Sequence, residues 1–173
     1  MGDKCIMKIK REALVGEYIT EALLLLMREK EYKDISITEI CAKAGVTRMS
    51  FYRNFEGKED ILKKWIVSVT DTFLTVSGIS YKNDSNTEYF IKLFTHLKQH
   101  KAICTAMYKA ELIYLVKEQF DRVFLSIHQD EYDPYKSYFL AGGIYNVFLL
   151  WLINGCKETP EELADRMTDM LVK

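Results

Sequence analysis

Two helix starts stand eleven residues apart, at Ser36 and Thr47, and that spacing leaves room only for two short helices with a tight turn between them. Ser36-Ile37-Thr38-Glu39 is a capping box: the serine hydroxyl serves the backbone N–H of Glu39, and the Glu39 carboxylate reaches back to the N–H of Ser36. Ile35 and Ile40 occupy the two positions of a hydrophobic staple, which fixes the angle at which the chain enters the helix. Gly45 can adopt the left-handed conformation that stops a helix, so this one ends near Ala44. Thr47 is the next N-cap, with Val46 and Phe51 again at staple positions, and the helix it opens runs from about Arg48 to Asn54. Two short helices joined by about three residues have helix-turn-helix geometry.

The rest of the chain also reads as helix. Two prolines and eight glycines interrupt it, and apolar residues recur mostly at intervals of three and four. Ile19, Ala22, Leu23, Leu26 and Met27 form one stripe of a helix ending near Lys30. Gly57-Lys58-Glu59-Asp60 opens a longer helix whose stripe is Ile61, Leu62, Trp65, Ile66 and Val69, reaching the mid-70s. Residues 78–86 are the clearest linker, and Ser85 with Glu88 caps the helix after it. Further helices are expected near 86–99, 101–109, 111–128, 134–154 and 160–172, the last two opened by Asp133-Pro134 and Thr159-Pro160. The expected fold is all-α with about nine helices: a three-helix helix-turn-helix domain over residues 1–57 and an antiparallel helical bundle over 58–173.

Composition narrows the function. The four cysteines, Cys5, Cys41, Cys104 and Cys156, are scattered without zinc-ligand spacing, which predicts free thiols in a reducing, cytoplasmic setting. Charged residues at 8 and 10–12 interrupt the opening apolar residues, which argues against a secretory leader. The apolar run at 139–153 is too short for a bilayer span of roughly 20 residues, so a buried or dimer-forming helix is expected and no membrane partner. Net charge is −1, with 13 Lys/Arg against 11 Asp/Glu in residues 1–65 and 11 against 14 beyond, a mild bias toward a basic first third. No GxSxG, Walker loop, HExxH or dinucleotide fingerprint is present, and Glu161-Glu162 suits a helix N-terminus, so an enzyme is not expected and no cofactor is assigned.

The string from Ser36 to Leu62 resembles the DNA-binding signature of the TetR family of bacterial regulators. The likeness covers roughly the first third of the chain from Ile19. It is carried by Ala44-Gly45-Val46, by Phe51-Tyr52 with Phe55, and by Lys58-Glu59 with Leu62. The residues support it separately, because Phe51 and Phe55 give the third helix an apolar inner face while Thr47, Arg48, Ser50 and Arg53 lie opposite. The resemblance implies that Thr47, Arg48 and Ser50 approach base edges or phosphates, that Tyr52 gives its hydroxyl to a phosphate, and that Lys58 holds another phosphate; Ser36, Thr38 and Met49 join the same set. Arg48 and Arg53 are the candidates for specificity, Arg48 through bidentate contact with guanine. The chain departs from the family at Glu31, Met49 and Asn54, where glycine, glycine and an aromatic are usual.

The resemblance further implies a homodimer on a palindromic operator, repression more often than activation, and release by a small-molecule effector. The dimer surface is expected from Tyr138, Gly142, Tyr145, Leu149, Leu152, Leu163, Met167 and Met170, with Gly142 and Gly143 permitting close approach of backbones. Aromatics of the second domain, namely Phe90, Phe94, Tyr108, Tyr114, Phe120, Phe124 and Tyr145, are candidates for an effector pocket, although such residues at helical spacing more often form core. His96 and His100 stand four apart with no third ligand at local spacing, so no metal site is assigned. A competing expectation is an interaction protein or co-activator with little operator affinity of its own, because phosphate contacts carry much of the affinity for DNA.

Overall fold

Local capping and apolar periodicity set the element boundaries. The structure, a computed structural model, describes residues 2–78, 85–127 and 133–171, with side chains described within 14–78, 85–126 and 133–170. Among these residues the fold is all helical: α1 (Gly2–Glu29), a 3-10 turn (Tyr32–Asp34), α2 (Ile37–Ala44), α3 (Arg48–Asn54), α4 (Lys58–Ser77), α5 (Asn86–Gln99), α6 (Lys101–Lys109), α7 (Tyr114–Ile127), α8 (Pro134–Ile153) and α9 (Pro160–Leu171). The chain divides into two compact units, Met1–Val67 and Ser68–Lys173, so the division falls within α4 rather than at its first residue, where the sequence reading placed it.

In the first unit α1 packs on α2 and α3, and its stripe Ile19, Ala22, Leu23, Leu26 and Met27 is buried as the periodicity requires. Ile35, Ile40, Cys41, Phe51, Phe55, Ile61 and Leu62 complete this core. Its α2–α3 turn has the expected caps. The Ser36 hydroxyl accepts from Glu39 N–H at 3.2 Å, the Glu39 carboxylate accepts from Ser36 N–H at 2.9 Å, and Gly45 sits at φ 66°. Lys30 adds an ion pair to Glu39, and this hydrogen bond, with those from Ser36, pulls the carboxyl down to about 2.

In the second unit α5 packs against α9, and α7 and α6 against α8. Asp133 caps α8 through Tyr135 N–H at 2.8 Å, and Thr159 with Glu162 forms a second capping box at α9. The linker expected at 78–86 lies largely outside the described residues, apart from Gly78 at its start and, at its end, Ser85, whose hydroxyl accepts from Glu88 N–H at 3.3 Å to open α5.

One boundary differs from the sequence reading. The helix expected from residue 111 begins only at Tyr114, because Glu111 takes φ 61° and closes α6 with the paired bonds Leu112 N–H to Met107 carbonyl (2.8 Å) and Glu111 N–H to Tyr108 carbonyl (3.1 Å). This is the left-handed helix stop usually made by glycine.

Helix α8 is long and apolar enough to cross a membrane by length and composition. Ser137, Leu140, Ala141, Ile144, Tyr145, Phe148, Trp151 and Leu152 are nevertheless buried in its own unit. The side left uncovered carries Tyr135, Phe139, Gly143, Asn146, Leu150 and Ile153.

Candidate nucleic-acid interface

Helix α3 has two unlike sides. Phe51 is fully buried and Phe55 nearly so, their rings 6.1 Å apart, whereas Met49 is 67% and Tyr52 53% exposed beside exposed Thr47, Arg48 and Arg53. The helix is thus pinned from behind and presents two guanidinium groups, a phenol and a thioether outward, side-chain types that reach phosphates and base edges. Its entrance is ordered by Thr47, whose hydroxyl accepts from Ser50 N–H and lies 3.1 Å from the Ser50 hydroxyl. Arg53 donates to the Met49 sulfur at 3.5 Å, which holds one guanidinium along the outer face. Thr38 is exposed on α2, and Ser36 is exposed but committed to its cap. Seven of the nine residues singled out from sequence for DNA are exposed, and Ser50 is half-buried.

Lys58 is the ninth, and its surroundings are different. Its ammonium donates to the carbonyl oxygens of Tyr32 (2.8 Å) and Ile35 (2.6 Å) and stands 4.4 Å from the centre of the Tyr32 ring. Burial holds this amine below its ordinary range, against the pull of Asp34 and Glu39. Sequence inspection did not single out Lys64, which donates to the Asn54 carbonyl at 2.8 Å and pairs with Asp60. Burial of Asp60 opposes its ionisation, but hydrogen bonds from Lys64 and from Glu56 N–H prevail and hold its carboxyl low.

The aromatics considered for an effector are dispersed. Phe90, Phe94, Phe124 and Tyr145 are core residues, Phe120 stacks on Phe148 at 5.9 Å, and Tyr108 and Tyr114 are exposed on the outside. A groove of about 630 Å³ lies elsewhere in the second unit, between the end of α4 and α5, with Val69, Phe73, Val76, Ile91, Thr95 and His96 among its walls. Phe73 and His96 stack with ring centres 4.1 Å apart. His96 and His100 meet edge to face at 4.9 Å, and the described residues contain no group of three side chains placed to hold a metal ion.

Of the surface expected for pairing, Tyr138 (62%) and Met170 (68%) are exposed, Gly142 and Leu149 half-buried, and Tyr145, Leu152, Leu163 and Met167 buried within their own unit. Cys41, Cys104 and Cys156 are buried free thiols, with Cys104 pushed up to about 12 by burial; Cys5 lies outside the described side chains.

The His96 imidazole is pushed down to about 4, first by burial and then by the neighbouring His100. Between its ordinary value near ~6.5 and that lower one, the unfolded chain takes up a proton that the folded chain refuses, so stability falls as pH falls. Melting temperature should therefore drop between pH 7 and pH 5, and His96→Gln should flatten that drop. Equal slopes for the two proteins would show that His96 titrates normally.

A family model described as "Bacterial regulatory proteins, tetR family" matches residues 19–64, and another described as "Transcriptional regulator C-terminal region" matches 84–173. Among curated proteins, the chain is 26% identical over 179 residues to the uncharacterized HTH-type transcriptional regulator YuxN and 22% identical over 171 residues to YxbF, both of Bacillus subtilis. Each alignment takes in 88% of this chain, but the chain spans only 62% of YuxN and 43% of YxbF. Among solved structures, a TetR transcriptional regulator from Streptococcus agalactiae superposes with TM-score 0.65 at 19% identity, covering 96% of this chain and 98% of that one. The dihydroxyacetone kinase operon activator DhaS superposes with TM-score 0.61 at 17% identity, covering 91% and 94%. These two structures share the fold. Because the matched segments include the whole turn from Ser36 to Phe55 and, separately, more than half of the chain beyond it, the protein belongs to the TetR family of transcriptional regulators.

Proposed function

We propose that the chain is a cytoplasmic repressor that binds a palindromic operator as a homodimer and is released by a small-molecule effector. The observation that carries this reading is the division of α3 into a buried phenylalanine side and an exposed side bearing Arg48 and Arg53. Arg48 reads a guanine through O6 and N7. Arg53 is the second candidate for base contact, Tyr52 gives its hydroxyl to a phosphate, and Thr47, Ser50 and Thr38 donate to nearby base edges or phosphates. The two copies join through the uncovered side of α8, and a palindromic operator presents its half-sites about 34–36 Å apart, one helical turn of DNA. The groove between α4 and α5 supports the effector reading. Its size lies within the ordinary range for small ligands, its walls are mainly apolar, and His96 within it is uncharged near neutral pH, which suits a neutral or weakly polar molecule. An effector acts only if it prefers one separation of the two reading heads over another.

Fluorescence anisotropy on a duplex from the promoter beside its own gene, over a salt series, tests the DNA reading. Arg48→Ala should weaken that duplex about 10- to 100-fold and reduce discrimination against single-base changes at one position of each half-site. An unchanged preference in the variant would remove Arg48 as the reading residue. A second reading, as a co-activator with little operator affinity of its own, is favoured by the small positive charge of the first third and by the activator named among the similar folds. Absence of salt-sensitive binding to any duplex would select it.

A further inference from the structure

From its contacts we infer that Lys58 is a positioning residue for the reading head and not a phosphate ligand: its ammonium fastens the α1–α2 turn to the start of α4. An ammonium has three N–H groups. Two of them are spent on the Tyr32 and Ile35 carbonyls, and the charge faces the Tyr32 ring. These carbonyls lie 26 and 23 residues away in sequence, so the contact is a tertiary tie. The turn needs one. Ile35 and Ser36 are extended, at ψ 118° and 154°, because the chain must leave the 3-10 turn and enter α2 at a fixed angle, and an extended backbone offers carbonyls with no helical partner. The Tyr32 carbonyl already accepts Ile35 N–H at 3.2 Å, and Lys58 adds a second, charged donor.

A similar tie, more exposed, closes the other end of the motif. Helix α3 is only seven residues long, so its last carbonyls lack helical partners. Lys64 takes that of Asn54 while its ammonium stands 5.1 Å from the Phe55 ring. Two lysines of α4 thus hold the entrance of α2 and the exit of α3, which sets the attitude of α3 within the first unit. Lys64 is 56% exposed and bonded to Asp60, so Lys58 is the tie with the larger effect.

The inference concerns the DNA-binding reading, but its first test does not depend on it. Reductive methylation of the full chain without DNA, followed by mass spectrometry, should label Lys58 at least about tenfold more slowly than exposed Lys157, because two carbonyl bonds and burial shield its nitrogen, an effect that must outweigh the larger unprotonated fraction that burial also gives it. Labelling of Lys58 at the Lys157 rate would overturn the inference whether or not the chain binds DNA. Saturating promoter duplex should leave the Lys58 rate unchanged, whereas DNA-dependent protection would mark a phosphate ligand.

Lys58→Met and Lys58→Arg provide the second test, by anisotropy well below the melting temperature. Lys58→Met should weaken the promoter duplex about tenfold relative to a scrambled duplex of equal length, with the slope of log affinity against log salt unchanged and with recovery in Lys58→Arg. A slope flatter by about one, or equal losses on both duplexes, would return Lys58 to the phosphate backbone. No change in either variant would overturn the positioning role as well.

Discussion

Phe139→Glu combined with Leu150→Glu is expected to yield a folded monomer whose affinity for the operator duplex is about 10²- to 10⁴-fold weaker. Phe139 is 77% and Leu150 61% exposed, an unusual state for such side chains on a helix whose other side is full of core residues. With Gly143, Asn146 and Ile153 they fall at intervals of four, three, four and three, the repeat that keeps one side of a helix facing a partner helix. At Gly143 a Cβ would meet nothing within 4 Å, so the backbone lies open in mid-seam and a second helix can approach it closely. The glutamates place charge where a partner would have to desolvate it, while Leu140, Ala141, Ile144, Phe148 and Trp151 keep α8 seated in its own unit. One head alone makes half the contacts and loses the linkage that makes binding of the second head intramolecular. Sedimentation velocity beside anisotropy gives the result. A variant that still sediments as a dimer would place the seam elsewhere.

The reading head was legible in sequence because its determinants are local. Ser36 with Glu39, Gly45 and Thr47 act within four residues of themselves, and the boundaries of α2 and α3 came out as read. The start of α7 was not legible, since a glutamate in the left-handed region leaves no compositional mark of the kind glycine leaves. Helix α8 illustrates a deeper limit. Where nearly every position is apolar, the sequence has no amphipathic direction, and nothing tells the side facing its own core from the side facing a partner. Tyr145 and Leu152 therefore looked equal to Phe139 and Leu150 until burial separated them. Dispersed aromatics raise the same difficulty. Phe90 and Phe94 are core, while the groove is walled by Val69, Phe73 and Ile91, of which only Val69 falls on a stripe read from spacing, and there as a core position. Lys58 was visible as a motif residue, but its tie to Tyr32 and Ile35 exists only once the chain has folded back on itself.

Phe51→Ala is expected to abolish DNA binding while leaving the second unit and its pairing intact. Phe51 is fully buried, meets Tyr52 edge to face at 5.3 Å and Phe55 at 6.1 Å, and lies where α1 and α2 close over α3. Truncating a buried phenylalanine costs about 3–5 kcal/mol through lost burial and the cavity left behind. A small unit has little stability to spare against that, since whole domains hold only about 5–15 kcal/mol. The loss falls on the first unit because the two units have separate cores, and α3, seven residues long, cannot stay helical without a packed side. Hydrogen exchange should therefore show residues 36–55 unprotected in the variant while the amides of α5, α8 and α9 remain slow, and sedimentation equilibrium should give the same oligomeric mass as the wild type. Phe51→Leu, which keeps most of the apolar volume, should restore part of the protection and part of the affinity together. If exchange were lost across both units at once, the two cores would be one cooperative body, and α3 would owe its order to the whole chain instead of to the phenylalanine behind it.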